Sequence, residues 1–177
     1  MKTIKLILTA LLLICIAFQL SAQRTWKTVT KKYENEEYII KNTDLTYAVT
    51  NAKYELAEQT TTDAEFEGET IDDFEKRRES LRKSIYNVLD EILQFSSIPV
   101  PDDFPYRLSV LCYFDSHTKD YIGVYFVFPT EIKDYMTLER INQAEQKLSE
   151  KRINAGRTYL FEDKPYFAVT VNIRVGK

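Results

Sequence analysis

Residues 106–128 read YRLSVLCYFDSHTKDYIGVYFVF, and this stretch decides the fold. In its first arm Leu108, Val110, Cys112 and Phe114 fall on one face. In its second arm Ile122, Val124, Phe126 and Phe128 do the same. Strict alternation of this kind is the pattern of a half-buried strand. The four residues between the arms, Ser116 to Lys119, suit a tight hairpin loop. Each large apolar side chain of that face stabilises by roughly 1.5–3 kcal/mol when buried. A slip of one residue would turn the whole set to water, so the register is expected to be firm.

Upstream of the hairpin, Pro99, Pro101 and Pro105 break regular structure and end a helix. Apolar residues recur at Ile71, Phe74, Leu81, Ile85, Val88, Ile92 and Phe95, in steps of three and four, with Arg78 inside the stripe. That spacing predicts one face of a helix of about 24 residues. Thr70 and Asp73 resemble a capping box with Asp in place of Glu. The stripe is expected to pack across the domain's own sheet; the rival is a coiled-coil seam, which Arg78 interrupts. Before the helix, Gln59 to Glu69 is polar and acidic and reads as a surface loop. Its Asp63, Glu65, Glu67 and Gly68 resemble the start of a calcium loop, but the twelfth position, where a bidentate acid is needed, is Phe74. Earlier still, Arg24 to Glu58 sets Trp26, Val29, Tyr33, Tyr38, Ile39, Ile40, Leu45, Tyr47 and Val49 among charges. With turn signals at Glu34-Asn35 and Lys41 to Asp44, this predicts two or three short strands.

Downstream, Leu138, Ile141, Ala144 and Leu148 share a face, which predicts a second amphipathic helix over 138–152. Thr137 suits its N-cap and Gly156 its C-terminal cap. Tyr159, Leu160 and Phe161 read as a short extended piece, and Asp163-Lys164-Pro165 as a turn. A last strand, 166–175, alternates Phe167, Val169, Val171, Ile173 and Val175 with more polar neighbours. The expected fold class is therefore α+β. An antiparallel sheet, built from the hairpin 106–128 and the strand 166–175, carries two amphipathic helices, about 71–95 and 138–152, on one face. Whether the N-terminal strands join that sheet is left open by the sequence.

The chain begins MKTIKLILTALLLICIAFQLSAQ. Lys2 and Lys5, a long apolar run and a small residue, Ala22, have the form of a secretory signal peptide of residues 1–22. The rival, an uncleaved anchor, is near the lower length limit for crossing a bilayer and ends in polar residues. Lipidation at Cys15 is disfavoured because Ile14 precedes it. Residues 23–177 then form a single domain, with a core large enough to fold alone. Removing the segment takes two lysines and no acids, so the formal charge falls from −3 to −5. Nucleic acid and stable membrane insertion are not expected of such a domain. Cys112 becomes the only cysteine, which excludes an intrachain disulfide, and its place on the apolar face predicts an inert thiol. An exported domain without disulfides suits a bacterial periplasm.

The segment 104–175 resembles the C-terminal domain of TonB, which contacts outer-membrane receptors in Gram-negative bacteria. LCYFDSHTKDYIGVYFVF is similar to that family's strand, Asp-containing turn and second strand. LERINQAEQKL sits where its helix lies, and YLFEDKPYFAVTVNIRV resembles its aromatic segment, Lys-Pro turn and final strand. The resemblance implies a β-β-α-β unit over 104–177 and partner peptides taken up at a sheet edge. Energy transduction is not implied: the apolar N-terminal segment has no histidine, and no Pro-rich linker follows it.

No catalytic signature appears, so function is read by inventory. His117, the only histidine, lies in the hairpin turn and reads as a solvated turn residue. Metal binding is not expected of it, nor a Ser-His-Asp arrangement. Four glycines form no phosphate-cradling pattern, so no cofactor is predicted. The acids Asp72, Asp73, Glu75, Glu79, Asp90 and Glu91 read as a solvated helix face, although a carboxylate pair formed in space is invisible here. The aromatic content is more informative, with 12 tyrosines and 10 phenylalanines. Opposite the core face, Tyr113, Tyr121 and Tyr125 are expected beside Leu111, Gly123 and Val127. Covered, that face is structural. Open, it suits recognition of a protein or glycan of the bacterial envelope. The expectation is a periplasmic or secreted, non-enzymatic binding domain, with Tyr113, Tyr121, Tyr125, Leu111 and Val127 as its site. The alternative is a cystatin-like or NTF2-like ligand-pocket protein or small hydrolase, and a homodimer through the long helix remains open.

Overall fold

A computed structural model describes residues 26–54, 60–61, 70–100, 107–156 and 165–176. Residues 1–22, expected as a signal peptide, the calcium-loop resemblance at 63–68, Pro101, Pro105 and the expected extended piece 159–161 lie outside the described residues; of the expected surface loop 59–69, Thr60 and Thr61 form a short strand instead. The elements run β1 (Lys27–Tyr33), β2 (Glu36–Asn42), β3 (Thr46–Asn51), β4 (Thr60–Thr61), α1 (Ile71–Leu93), β5 (Arg107–Asp115), β6 (Tyr121–Pro129), α2 (Leu138–Glu150) and β7 (Tyr166–Arg174). They form an α+β fold with one seven-stranded sheet in the order β1-β2-β3-β6-β5-β7-β4. All pairings are antiparallel except the two-residue β4, which lies parallel to Tyr166 and Phe167. The N-terminal strands do join the sheet: β3 pairs with β6, Val49 opposite Phe126.

The hairpin forms as its alternation predicts, with one correction. Leu108, Val110, Cys112, Phe114, Val124, Phe126 and Phe128 are all buried in the core. Ile122 is not among them. Tyr113 pairs with Gly123 but Phe114 pairs with Tyr121, so Ile122 is the extra residue of a β-bulge. The bulge reverses the parity of the strand, and Tyr121 turns to the core face, edge-on to Phe114 with ring centroids 6.2 Å apart. At the tip, Asp115 Oδ1 accepts from the backbone N–H groups of His117 and Thr118, both at 2.8 Å. Lys119 takes the left-handed conformation.

Both helices lie on one face of the sheet. Phe74, Leu81, Ile85, Val88, Leu89 and Leu93 of α1 are buried in the chain's own core, which is where the stripe was expected to pack. Thr70 caps α1: its Oγ1 accepts from the Asp73 N–H at 3.2 Å and donates to Asp73 Oδ2 at 2.8 Å. At the other end Arg140 of α2 closes the helix. Its guanidinium donates to the Ile92 carbonyl at 2.9 Å and to the Tyr135 hydroxyl at 2.8 Å. Tyr135 in turn donates to the Leu93 carbonyl at 2.9 Å. Carbonyls left unpaired at a helix end thus find donors, one of them cationic and suited to the negative end of the dipole. The left-handed residue after α2 is Arg152 rather than Gly156, which takes positive φ four residues later. No helix among the described residues is long and apolar enough to cross a membrane.

Candidate functional site

Strand β2 presents Glu36, Tyr38 and Ile40 to one face by simple alternation. Ile40 joins the core, and Tyr38 is wholly buried. Tyr38 pairs across the ladder with Asn51, the last residue of β3, also buried. Helix α2 crosses above them. Its buried positions include not only Ile141, Ala144 and Leu148 but also Asn142 and Glu145, one turn apart. The Tyr38 hydroxyl donates to Glu145 Oε2 at 3.1 Å, and Asn142 Nδ2 donates to the Tyr38 oxygen at 2.9 Å. Asn51 Nδ2 donates to Glu36 Oε2 at 2.8 Å, and Lys53 Nζ to Glu36 Oε1 at 2.9 Å. The Lys53 ammonium also stands 5.0 Å above the Tyr54 ring. Around the buried Tyr38 hydroxyl, the side chains of Glu36, Asn51, Lys53, Asn142 and Glu145, from two strands, a turn and a helix, therefore converge at one place.

They line a cleft of about 240 Å³ with Tyr54, Gln146, Ser149 and Glu150. Two of its carboxylates, the buried Glu145 and the partly exposed Glu36, are driven apart. Burial pushes the Glu145 carboxyl up, against the opposing pull of the Tyr38 hydrogen bond and of Lys53. Hydrogen bonds from Asn51 and Lys53 hold Glu36 below its ordinary value. Burial, then the Glu145 charge, pushes the Tyr38 hydroxyl well up, so it stays a donor. Beside this group the Tyr121 hydroxyl is buried with no hydrogen-bond partner among the described residues.

The fold recurs elsewhere. It is shared with the crystal structure of a DUF5043 family protein from Bacteroides uniformis ATCC 8492, at a TM-score of 0.59 and 13% sequence identity. The alignment covers 85% of this chain and 93% of that one, and at this identity the likeness is one of fold. No family model matches the chain, and no curated protein does.

The residues expected from the sequence lie elsewhere. Tyr113 is buried to 4% exposure, and burial, then Tyr125, pushes its hydroxyl up to about 12. Around it Ala48, Thr50, Gly123 and Ala168 are buried too, so the sheet face away from the helices is closed at its centre. Leu111, Tyr125 and Val127 are half-buried on that face, and Tyr121 is on the other. An open patch of three tyrosines is therefore not what the structure presents. His117 is exposed on the hairpin turn. Cys112 is fully buried, and burial pushes its thiol well up. No group of three or more metal-ligating side chains stands together among the described residues.

The cleft residues carried one readable signal. Asn142 and Glu145 fall inside the apolar stripe of α2, between Ile141 and Leu148. A carboxylate on the buried face of a helix requires a partner. The partner itself, Tyr38, lies 107 residues away and is indistinguishable from a core tyrosine in sequence.

Proposed function

We propose that the chain is an exported, non-enzymatic binding domain whose ligand site is the cleft between the β2–β3 end and α2. The observation that carries this reading is the polar floor: Asn51, Asn142 and Glu145 are each at most 6% exposed, yet they line a concavity. Replacing buried ionic groups by apolar ones of similar size is often neutral or stabilising, so stability alone gives little reason for a carboxylate here. Convergent polar groups at the base of a cleft are the usual form of a small-ligand site. The volume is below the common range for drug-sized ligands, which points to a small one. Neither His117 nor the Cys112 thiol reaches the cleft, so the side chains most readily activated for catalysis stand apart from it. Export is supported by the form of residues 1–22.

A second reading, capture of a peptide by strand addition, is favoured by β1. It is an edge strand, and six of its seven residues are exposed. The TonB resemblance implies uptake at a sheet edge, but β3 and β4 flank the β6-β5-β7 unit, so the open edge is β1, outside the resembling segment. Lys27, Lys31 and Lys32 on this edge would select an acidic peptide.

The test is a small-molecule thermal-shift screen of the protein beside Ser149→Trp, which fills the exposed rim of the cleft. Compounds that raise the Tm of the wild type and not of the variant support the reading. Compounds that raise both equally, or none that raise either, contradict it.

A further inference from the structure

The cleft already holds one cation of the chain's own. The Lys53 ammonium lies between the Glu36 carboxylate, at 2.9 Å, and the face of Tyr54, at 5.0 Å from the ring centroid. Carboxylate on one side and aromatic face on the other is the environment that retains an ammonium. This pairing satisfies Glu36 by direct contact, whereas Lys53 reaches Glu145 only through space. Among the described residues no cation stands within salt-bridge distance of Glu145. Its hydrogen bond to Oε2 comes from a neutral hydroxyl. A carboxylate so deeply buried is costly to ionise without an opposite charge.

We propose that the cleft takes a small primary amine, with its ammonium on the Glu145 carboxylate. This deepens the cleft reading above and rests on it. Three carboxylates, Glu36, Glu145 and Glu150, line the cleft against the single Lys53, so an anionic ligand meets repulsion. A neutral ligand adds no charge to the distant pull of Lys53 on Glu145. A quaternary ammonium is a poorer match, because one ring is not a cage and the acceptors require N–H donors. Ser149, on the rim, supplies a further acceptor.

The experiment is an NMR titration of the uniformly 15N-labelled protein with n-butylamine, 1-butanol and butyrate, three probes of nearly equal size and different charge. The expected result is saturable shifts from butylamine alone, at the side-chain amides of Asn51 and Asn142 and the backbone amides of residues 51–54 and 142–149. Glu145→Gln, which keeps the shape and an acceptor for Tyr38, should weaken butylamine binding by about tenfold or more. Lys53→Met, which frees Glu36, should strengthen it. The opposite signs separate loss of a site from loss of the fold. If butanol or butyrate shifts the same amides and butylamine does not, the site stands and the amine assignment is overturned. If no probe shifts them, both the assignment and the cleft reading fail.

Discussion

The hydroxyl of Tyr38 donates to the carboxylate of Glu145 across 3.1 Å, joining the second strand to the last helix over 107 residues of sequence. Both groups are buried, and Asn142 completes the arrangement from the helix side. Removing one partner of such a pair leaves the other unsatisfied, which costs more than the bond itself contributes. Tyr38→Phe should therefore destabilise the protein by about 1–3 kcal/mol. Tyr38→Phe in a Glu145→Leu background should cost clearly less. Urea denaturation of the double-mutant cycle checks this, and equal costs in both backgrounds would show that the two residues are not coupled.

Glu145 also makes a prediction about pH. Its carboxyl is raised above the ordinary value of 4.5, by burial first, among Tyr38, Asn51, Asn142, Glu36 and Lys53. Between the unfolded and folded values the native state binds the proton and the unfolded state does not. Stability from this group therefore falls as pH rises from about 4.5 through the folded value. Glu36 acts in the opposite sense and at lower pH, since its value is lowered. Glu145→Gln should remove the loss, so the stability of the variant relative to the wild type should be greater at about pH 7 than at about pH 4. Denaturation curves at the two pH values decide; an unchanged or reversed difference contradicts the assignment.

Gly123 has no room for a side chain. A Cβ placed there would lie 2.5 Å from Cγ of Tyr54, so the ring lies directly on the bulged strand. Gly123→Ala should destabilise by about 1–3 kcal/mol through overpacking. Tyr54→Ala should recover much of that loss in the double variant. A Gly123→Ala protein as stable as wild type would mean that Tyr54 moves aside freely, and that the cleft wall it forms is soft.

Arg140 bridges α2 to the end of α1 through its planar guanidinium, with the Tyr135 ring 4.0 Å beneath it. A lysine carries the charge but neither the fork nor the stacking plane. Arg140→Lys should still cost about 1–2 kcal/mol, and Arg140→Ala more. Thermal unfolding of the two variants checks the order, and a lysine variant matching the wild type contradicts the geometric account.

Cys112 should behave as a core residue. It is fully buried, and burial raises its thiol well above the ordinary range. In a chain of residues 23–177, where it is the one cysteine, labelling of Cys112 by a thiol reagent should follow unfolding, becoming fast only in denaturant. Rapid labelling in buffer would place the hairpin face in solvent.

What could be read in the sequence followed local periodicity. The hairpin faces, the two helices and the caps at Thr70 and Thr137 are consequences of neighbours within a few residues. The bulge at Ile122 is not: one extra residue reverses parity without leaving a mark in composition, and it moved Tyr121 from one face to the other. The place of β3 beside β6 and the meeting of Tyr38 with α2 depend on contacts across the whole chain. The tyrosine face was legible as a set of residues. Its closure over Tyr113 was not, because burial is decided by what lies opposite.

The most direct measurement is a crystallographic soak of the protein with a mixed set of small fragments, solved without assuming where they bind. The account predicts fragments in the cleft of Asn51, Tyr54 and Glu145, with amine-bearing members on the Glu145 carboxylate. Fragments that leave this cleft empty and gather elsewhere, along the β1 edge or in the groove between Arg77 and Lys151, would contradict it.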